Sequence, residues 1–172
     1  MYFVFARWTA ARYLAFITFA IACWTDYYDG YVARREKQIT NFGKLMDPIA
    51  DKILLLAAFL AFVELKLVPA WTVVVIVARE VTITGLRIFA LGRGTVLQAE
   101  EAGKHKTVSQ MIAIFTILTF LILKDTAKFF LFWSGTIERW FLDLIFVLMV
   151  ITVVLTLSSG ISFLLRNRRM FA

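Results

Sequence analysis

The chain has one cysteine, Cys23, one histidine, His105, and two prolines, Pro48 and Pro69. A lone cysteine excludes an internal disulfide and any zinc site resting on thiolates. With so little proline and no Ser/Gly-rich linker there is no sign of a second domain, and residues 1–172 are expected to form one unit. Charge is the other scarcity. Charged residues make up 18% of the chain, hydrophobic residues 61%, and mean hydropathy is +0.80. Soluble domains contain about 45–50% apolar residues, so this chain carries more apolar surface than its own core can hide. A membrane protein is what remains.

The charge that is present is mostly positive: 19 Lys+Arg against 12 Asp+Glu, a net charge of +7. No basic stripe with interleaved aromatics stands outside the hydrophobic runs, so nucleic acid is not the expected partner. In a membrane chain, basic loops mark topology and attract anionic headgroups. Met1 to Ala6 lacks a basic n-region, so no cleavable signal peptide is expected.

Five hydrophobic runs, each near the ~20 residues a bilayer core requires, predict an all-α transmembrane bundle. The expected spans are 11–33, 47–63 (starting at Lys44 or Asp47), 69–91, 108–123 and 140–165. Pro48 is expected in the first turn of the second span, where its missing N–H costs little. Residues 124–139 read as a mixed connector whose Phe129–Trp133 patch lies in the interface. The loops after the first and third spans, with the C-terminus, hold Arg34, Arg35, Lys37, Lys44, Arg93, Lys104, Lys106, Arg166, Arg168 and Arg169. The other side holds Arg7, Arg12, Lys66, Lys124, Lys128 and Arg139. The bias places the ends of the first two spans, where carboxylates gather, at the cytoplasmic face.

Those carboxylates are the feature that apolar packing does not explain. Asp26, Asp29, Gly30, Ala33 and Arg34 are spaced to share one helical face, and Asp47 and Asp51 are likewise i, i+4. A carboxylate at the centre of a bilayer costs about 2.5 kcal/mol or more, and a multivalent cation is the natural compensation. Four carboxylates converging from two antiparallel helices make an all-oxygen site, which suits Mg²⁺ or Mn²⁺ better than zinc. Gly30 and Ala33 leave room for a ligand, and Arg34 can neutralise a phosphate. Taken singly, each aspartate is accounted for as an interfacial cap or an ion-pair partner of Arg34, Arg35 or Lys52. Four at helical register with glycine and arginine are not.

The pattern D-x-x-D-G-x-x-A-R, eight residues, then G-x-x-x-D-x-x-x-D is filled by Asp26, Asp29, Gly30, Ala33, Arg34, Gly43, Asp47 and Asp51. It resembles the complete signature of the CDP-alcohol phosphatidyltransferase family. The stretches Asp47 to Leu54, Ala78 to Arg87 and Gly103 to Thr107 with Gln110 resemble its phosphatidylglycerophosphate synthase branch. The resemblance implies a helical membrane fold, usually of six spans and homodimeric. One span is then expected to be missing before residue 26, because the amphipathic helix and Asn/Thr/Arg pattern usual at the front of that branch are absent. It also implies a two-metal reaction that passes the phosphatidyl group of CDP-diacylglycerol to sn-glycerol 3-phosphate, with CMP leaving. Asp26, Asp29 and Asp47 would be the principal metal ligands, Asp51 would reach the second metal or act as base, and Asp47 and Asp51 would be the catalytic pair. Asp29, Gly30, Ala33, Arg34 and Gly43 would hold the cytidine diphosphate.

An anionic acceptor calls for fixed cations, and Arg79, Arg87, Lys104 and Lys106 are the candidates for its phosphate. Against that stands a purely structural reading of the third span, a buried pair of Glu80 with Arg79 or Arg87. His105 is expected to be a solvated loop residue and Lys52 a snorkelling or paired one. Phosphatidylglycerol, inositol phosphate or serine as acceptor, a cation transporter and an inactive scaffold are the competing functions. Gly30, Ala33 and Arg34 argue against transport, since a cation path does not require them.

Overall fold

The computed structural model describes residues 4, 9–36, 41–92, 102–129 and 134–167. Apart from the turn between the second and third helices and the caps, these residues are helical: α1 (Thr9–Glu36), α2 (Asn41–Glu64), α3 (Ala70–Gly92), α4 (Ala102–Phe129) and α5 (Gly135–Arg166). The all-α class and the five predicted helices are present. α4 is the central element, packing on α1, α2 and α5, while α3 packs on α2 and α5.

The buried positions follow helical periodicity. On α2, Leu55, Ala58, Phe59 and Phe62 recur at i, i+3, i+4 and i+7. They meet Ile76 of α3, Ile114, Ile117 and Phe120 of α4, and Ile145 and Met149 of α5 in one continuous core. α1 enters through Phe19, whose ring stands edge-on to Phe115 at 5.4 Å between centroids. The outward faces are as apolar as the core: Trp24, Val74, Val81, Trp140 and Leu165 are all more than 60% exposed. Water would not tolerate faces of this extent; lipid does. By length and composition alone, His105–Ala127 and Gly135–Arg166 can each cross a membrane.

Two helix ends show how the chain turns. α2 closes in a Schellman motif, with Lys66 N donating to Val63 O at 2.9 Å and Leu67 N to Phe62 O at 3.0 Å. Lys66 takes the left-handed conformation there, at φ 57°, and Leu67 folds back onto the core. α5 begins at Ser134, whose Oγ accepts from Ile137 N at 3.3 Å.

The boundaries correct several expectations. α2 starts at Asn41, so Pro48 is its eighth residue rather than part of its first turn; the helix continues through it at the cost of the Lys44 carbonyl's intrahelical partner. α4 starts six residues before the expected Val108, so His105 and Lys106 are helical and not in a loop. His105 is exposed, as expected of a solvated residue, whereas Lys106 is buried. The connector expected over 124–139 is largely helix, since α4 runs to Phe129 and α5 starts at Gly135; residues 130–133 of the expected interfacial patch lie outside the described residues.

Candidate active site

The eight motif positions lie on two helices. Asp26, Asp29, Gly30, Ala33 and Arg34 fall within the continuous backbone of α1, and Gly43, Asp47 and Asp51 within that of α2. The helical register on which their shared faces depend is therefore present. Their side chains lie outside the described residues, as does that of Lys104 in the first turn of α4. Among the described residues, no group of three or more His, Cys, Asp or Glu side chains could hold a metal.

The described part of the site begins one residue after Asp51. Lys52 Nζ donates to Thr84 Oγ1 of α3 and lies 3.6 Å from Glu80 Oε2. Glu80 is the hub of this layer. Its Oε1 accepts from Arg79 Nη1 at 3.2 Å and from Lys106 Nζ of α4. Glu80 and Lys106 are 8% and 5% exposed, so this pair is shielded from solvent, while Lys52 at the edge of the cluster is partly exposed. The remaining Arg79 amino group, Nη2, donates to Ser159 Oγ of α5 at 2.7 Å. A Cβ at Gly160 would stand 3.3 Å from Arg79 Cγ, so α5 is shaved at that position to let the arginine stem past. One carboxylate thereby joins α2, α3, α4 and, through Arg79, α5.

This arrangement answers part of the sequence question. The structural pairing of Glu80 with Arg79 is real, but it is one third of the cluster. Arg87 is exposed, two turns beyond Glu80 on α3 and outside the group gathered on that carboxylate. Lys52 pairs rather than merely snorkels. Ser159 and Gly160 were not singled out from the sequence. The available signal was the stripe Thr152, Thr156, Ser159 and Gly160, small or hydroxylated residues at helical spacing on an otherwise apolar helix; all four are buried.

Beside the cluster lies a cavity of about 190 Å³ between α2, α3 and α4. Lys52, Glu80, Lys106, Thr107 and Gln110 form its polar wall, and Leu55, Leu56, Phe59 and Ile76 its apolar floor. A second space of about 350 Å³ on the other flank of Lys52 and Glu80 is lined by Ile53, Leu56, Val81, Thr84, Gly85 and Ile88. Charge gathered on a buried carboxylate, next to an apolar groove, can hold a polar anion at a lipid boundary.

Comparison with known proteins gives the family. Residues 1–158 match the family model described as CDP-alcohol phosphatidyltransferase. A protein of Bacillus subtilis named CDP-diacylglycerol–glycerol-3-phosphate 3-phosphatidyltransferase is 49% identical over 102 residues, covering 59% of this chain and 53% of that one. A probable phosphatidylglycerophosphate synthase of Mycobacterium tuberculosis is 43% identical over 106 residues, 62% of this chain and 50% of that one. A Rickettsia bellii protein with the same name as the Bacillus one is 32% identical over 163 residues, 94% of this chain and 82% of that one. The chain thus spans about half the length of the first two relatives. With a match over nearly its whole length, and with every motif position filled on α1 and α2, the chain belongs to the CDP-alcohol phosphatidyltransferase family.

Proposed function

We propose that the chain transfers the phosphatidyl group of CDP-diacylglycerol to the primary hydroxyl of sn-glycerol 3-phosphate, giving phosphatidylglycerophosphate and CMP. The observation that carries this reading is the complete eight-position motif on α1 and α2, running into the cation cluster at Lys52. The relatives named above carry the same reaction in their names.

The lysine contact ties the two halves together. Lys52 meets Thr84 and Glu80 across antiparallel helices joined by a short turn. Following α2 back from Lys52 to Asp51, Asp47 and Gly43 therefore runs level with α3 going forward from Thr84 to Arg87. Lys52 follows Asp51 directly on α2, and this adjacency in the chain supports a cation site beside the motif, as a reaction between a nucleotide-linked lipid and an anionic acceptor requires.

Asp26, Asp29, Asp47 and Asp51 make an all-oxygen donor set that fits two Mg²⁺ or Mn²⁺ ions. Such ions, when bound, supply charge neutralisation on the pyrophosphate and the departing CMP. The chain's own residues do the rest. Gly30, Ala33 and Gly43 leave space for the cytidine diphosphate, and Arg34 offers it a planar pair of donors. Asp51 takes the proton of the acceptor hydroxyl as its oxygen bonds to the β-phosphorus and the bond from that phosphorus to CMP breaks. Lys104 and Lys106 hold the acceptor near this point, Arg79 supports them through Glu80, and Arg87 stands at the mouth.

In this reading all five helices span the bilayer, the motif ends of α1 and α2 face the cytoplasm of a bacterial inner membrane, and the enzyme works as a homodimer. The positive-inside bias supports that orientation. The test is a panel of labelled acceptors offered to the purified chain with CDP-diacylglycerol and Mg²⁺. Glycerol 3-phosphate should give CMP and phosphatidylglycerophosphate. CMP release with phosphatidylglycerol, inositol phosphate or serine instead would move the acceptor assignment, and cation flux without CMP release would replace the enzyme reading by transport.

A further inference from the structure

The geometry points to Lys52 and Lys106 as the pair that grips a doubly charged phosphate in the cavity between α2, α3 and α4, with Glu80 as the residue that positions both. This deepens the reading just given and rests on it for the identity of the phosphate's owner.

Charge accounting leads to the pair. A buried ion pair that only stabilises a fold is balanced one to one, because each uncompensated charge in a poorly solvated place is costly. Here a single carboxylate serves three cations: Lys52, Arg79 and Lys106. Among the described residues the cluster therefore holds two positive charges in excess. Position shows which two. Arg79 is absent from the cavity wall, and it is tied on one side to Glu80 and on the other to Ser159 of α5. It backs the carboxylate from behind. Lys52 and Lys106 line the cavity itself, together with Thr107 and Gln110, whose polar groups suit a phosphate and its attached hydroxyls.

A phosphate monoester has its second ionisation near pH 6, so it carries about the two negative charges that the excess calls for. The cavity, about 190 Å³, admits a small phosphorylated polyol, and its wall holds the Lys106 side chain almost fully buried while Lys52 keeps partial access to solvent. Lysine is a point-charge donor on a flexible stem and needs to be held. Glu80 does this: its Oε1 takes Lys106 and its Oε2 forms an ion pair with Lys52, while Thr84 Oγ1 accepts a hydrogen bond from Lys52. Because Lys52 follows Asp51 directly on α2, the same contact sets the bound phosphate at a fixed offset from the residue expected to take the acceptor's proton.

The experiment compares wild type, Lys52→Met, Glu80→Gln and Glu80→Asp as full chains in lipid nanodiscs. Steady-state parameters are measured for each substrate separately. Lys52→Met and Glu80→Gln should raise KM for glycerol 3-phosphate by about tenfold to a hundredfold, while KM for CDP-diacylglycerol changes by less than about twofold. Inhibition by inorganic phosphate should weaken in parallel, and Glu80→Asp should recover part of the loss. A rise confined to the CDP-diacylglycerol KM would overturn the assignment and give Lys52 to the donor. A fall in kcat with both KM values unchanged would also overturn it. Should wild type release no CMP with any acceptor, the transferase reading fails by itself. Calorimetry with glycerol 3-phosphate and with inorganic phosphate then decides the lysine pair: binding lost in Lys52→Met supports it, and binding equal to wild type sinks it.

Discussion

Arg79 of α3 and Ser159 of α5, 80 residues apart in sequence, are joined by a 2.7 Å hydrogen bond from Nη2 to Oγ. The bond matters because α5 carries none of the motif residues, yet it holds the arginine that backs Glu80. Gly160 completes the seat, since a Cβ there would stand 3.3 Å from Arg79 Cγ and 3.7 Å from its Nε. Replacing Ser159 by alanine should destabilise the fold by about 1.5–3 kcal/mol, the range for a hydrogen bond to a charged group. Denaturation in detergent followed by tryptophan fluorescence measures this. Gly160→Val should do comparable damage by displacing the guanidinium, and should raise the acceptor KM with it.

The two cations of α3 that the sequence offered for the acceptor should behave differently. Arg79 is tied into a buried network, whereas Arg87 is exposed. Arg79→Ala should therefore raise the acceptor KM by about tenfold or more, and Arg87→Ala by several-fold less. Equal effects in the same steady-state assay would mean that the phosphate sits nearer the mouth than the cavity.

Lys66 occupies the left-handed position of a Schellman motif with φ 57°. A residue with a Cβ is strained there by about 1–2 kcal/mol and glycine is not. Part of that gain is returned, because glycine also gives the unfolded chain more freedom to lose. Lys66→Gly should still raise the unfolding midpoint, with no change in either KM.

Two ion pairs on the side away from the motif should differ in worth. Arg12 Nη1 meets Asp125 Oδ1 at 2.7 Å with side chains 19% and 9% exposed, and also donates to Leu121 O. Lys124 Nζ meets Glu138 Oε1 at a similar 2.6 Å, but with side chains 31% and 32% exposed. Solvent screening leaves the second about 1 kcal/mol or less. Removing Arg12 takes a close cation from the buried Asp125 carboxylate and a donor from Leu121 O, and should cost about 3 kcal/mol. Thermal unfolding of Arg12→Ala and Lys124→Ala side by side separates them.

The helices were legible because hydrophobic run length is a direct physical constraint: four of the five predicted runs lie wholly inside helices, and the third begins at Pro69, one residue before α3. Their ends were less so. The polar first turns of α2 and α4, from Asn41 and from Ala102, read as loop because hydropathy falls there, although nothing in their backbones prevents helix. Pro48 shows the same limit, since a proline near a helix start was taken to mark the first turn. The motif was legible as a spacing and as a family resemblance, and the helical backbone needed for that spacing is present on α1 and α2. Glu80's gathering of Lys52 and Lys106 was not legible. It depends on how α2, α3 and α4 are rotated against one another, which residues 28 and 26 positions away from Glu80 do not reveal in one dimension.

The most direct test of the account is CMP release by Asp47→Asn beside wild type. Purified chains receive CDP-diacylglycerol, Mg²⁺ and glycerol 3-phosphate, with circular dichroism confirming equal helix content. Wild type should release CMP in step with phosphatidylglycerophosphate, and Asp47→Asn should lose at least about a hundredfold in kcat. Asp47→Asn turning over at the wild-type rate would contradict the carboxylate chemistry on which the whole reading stands.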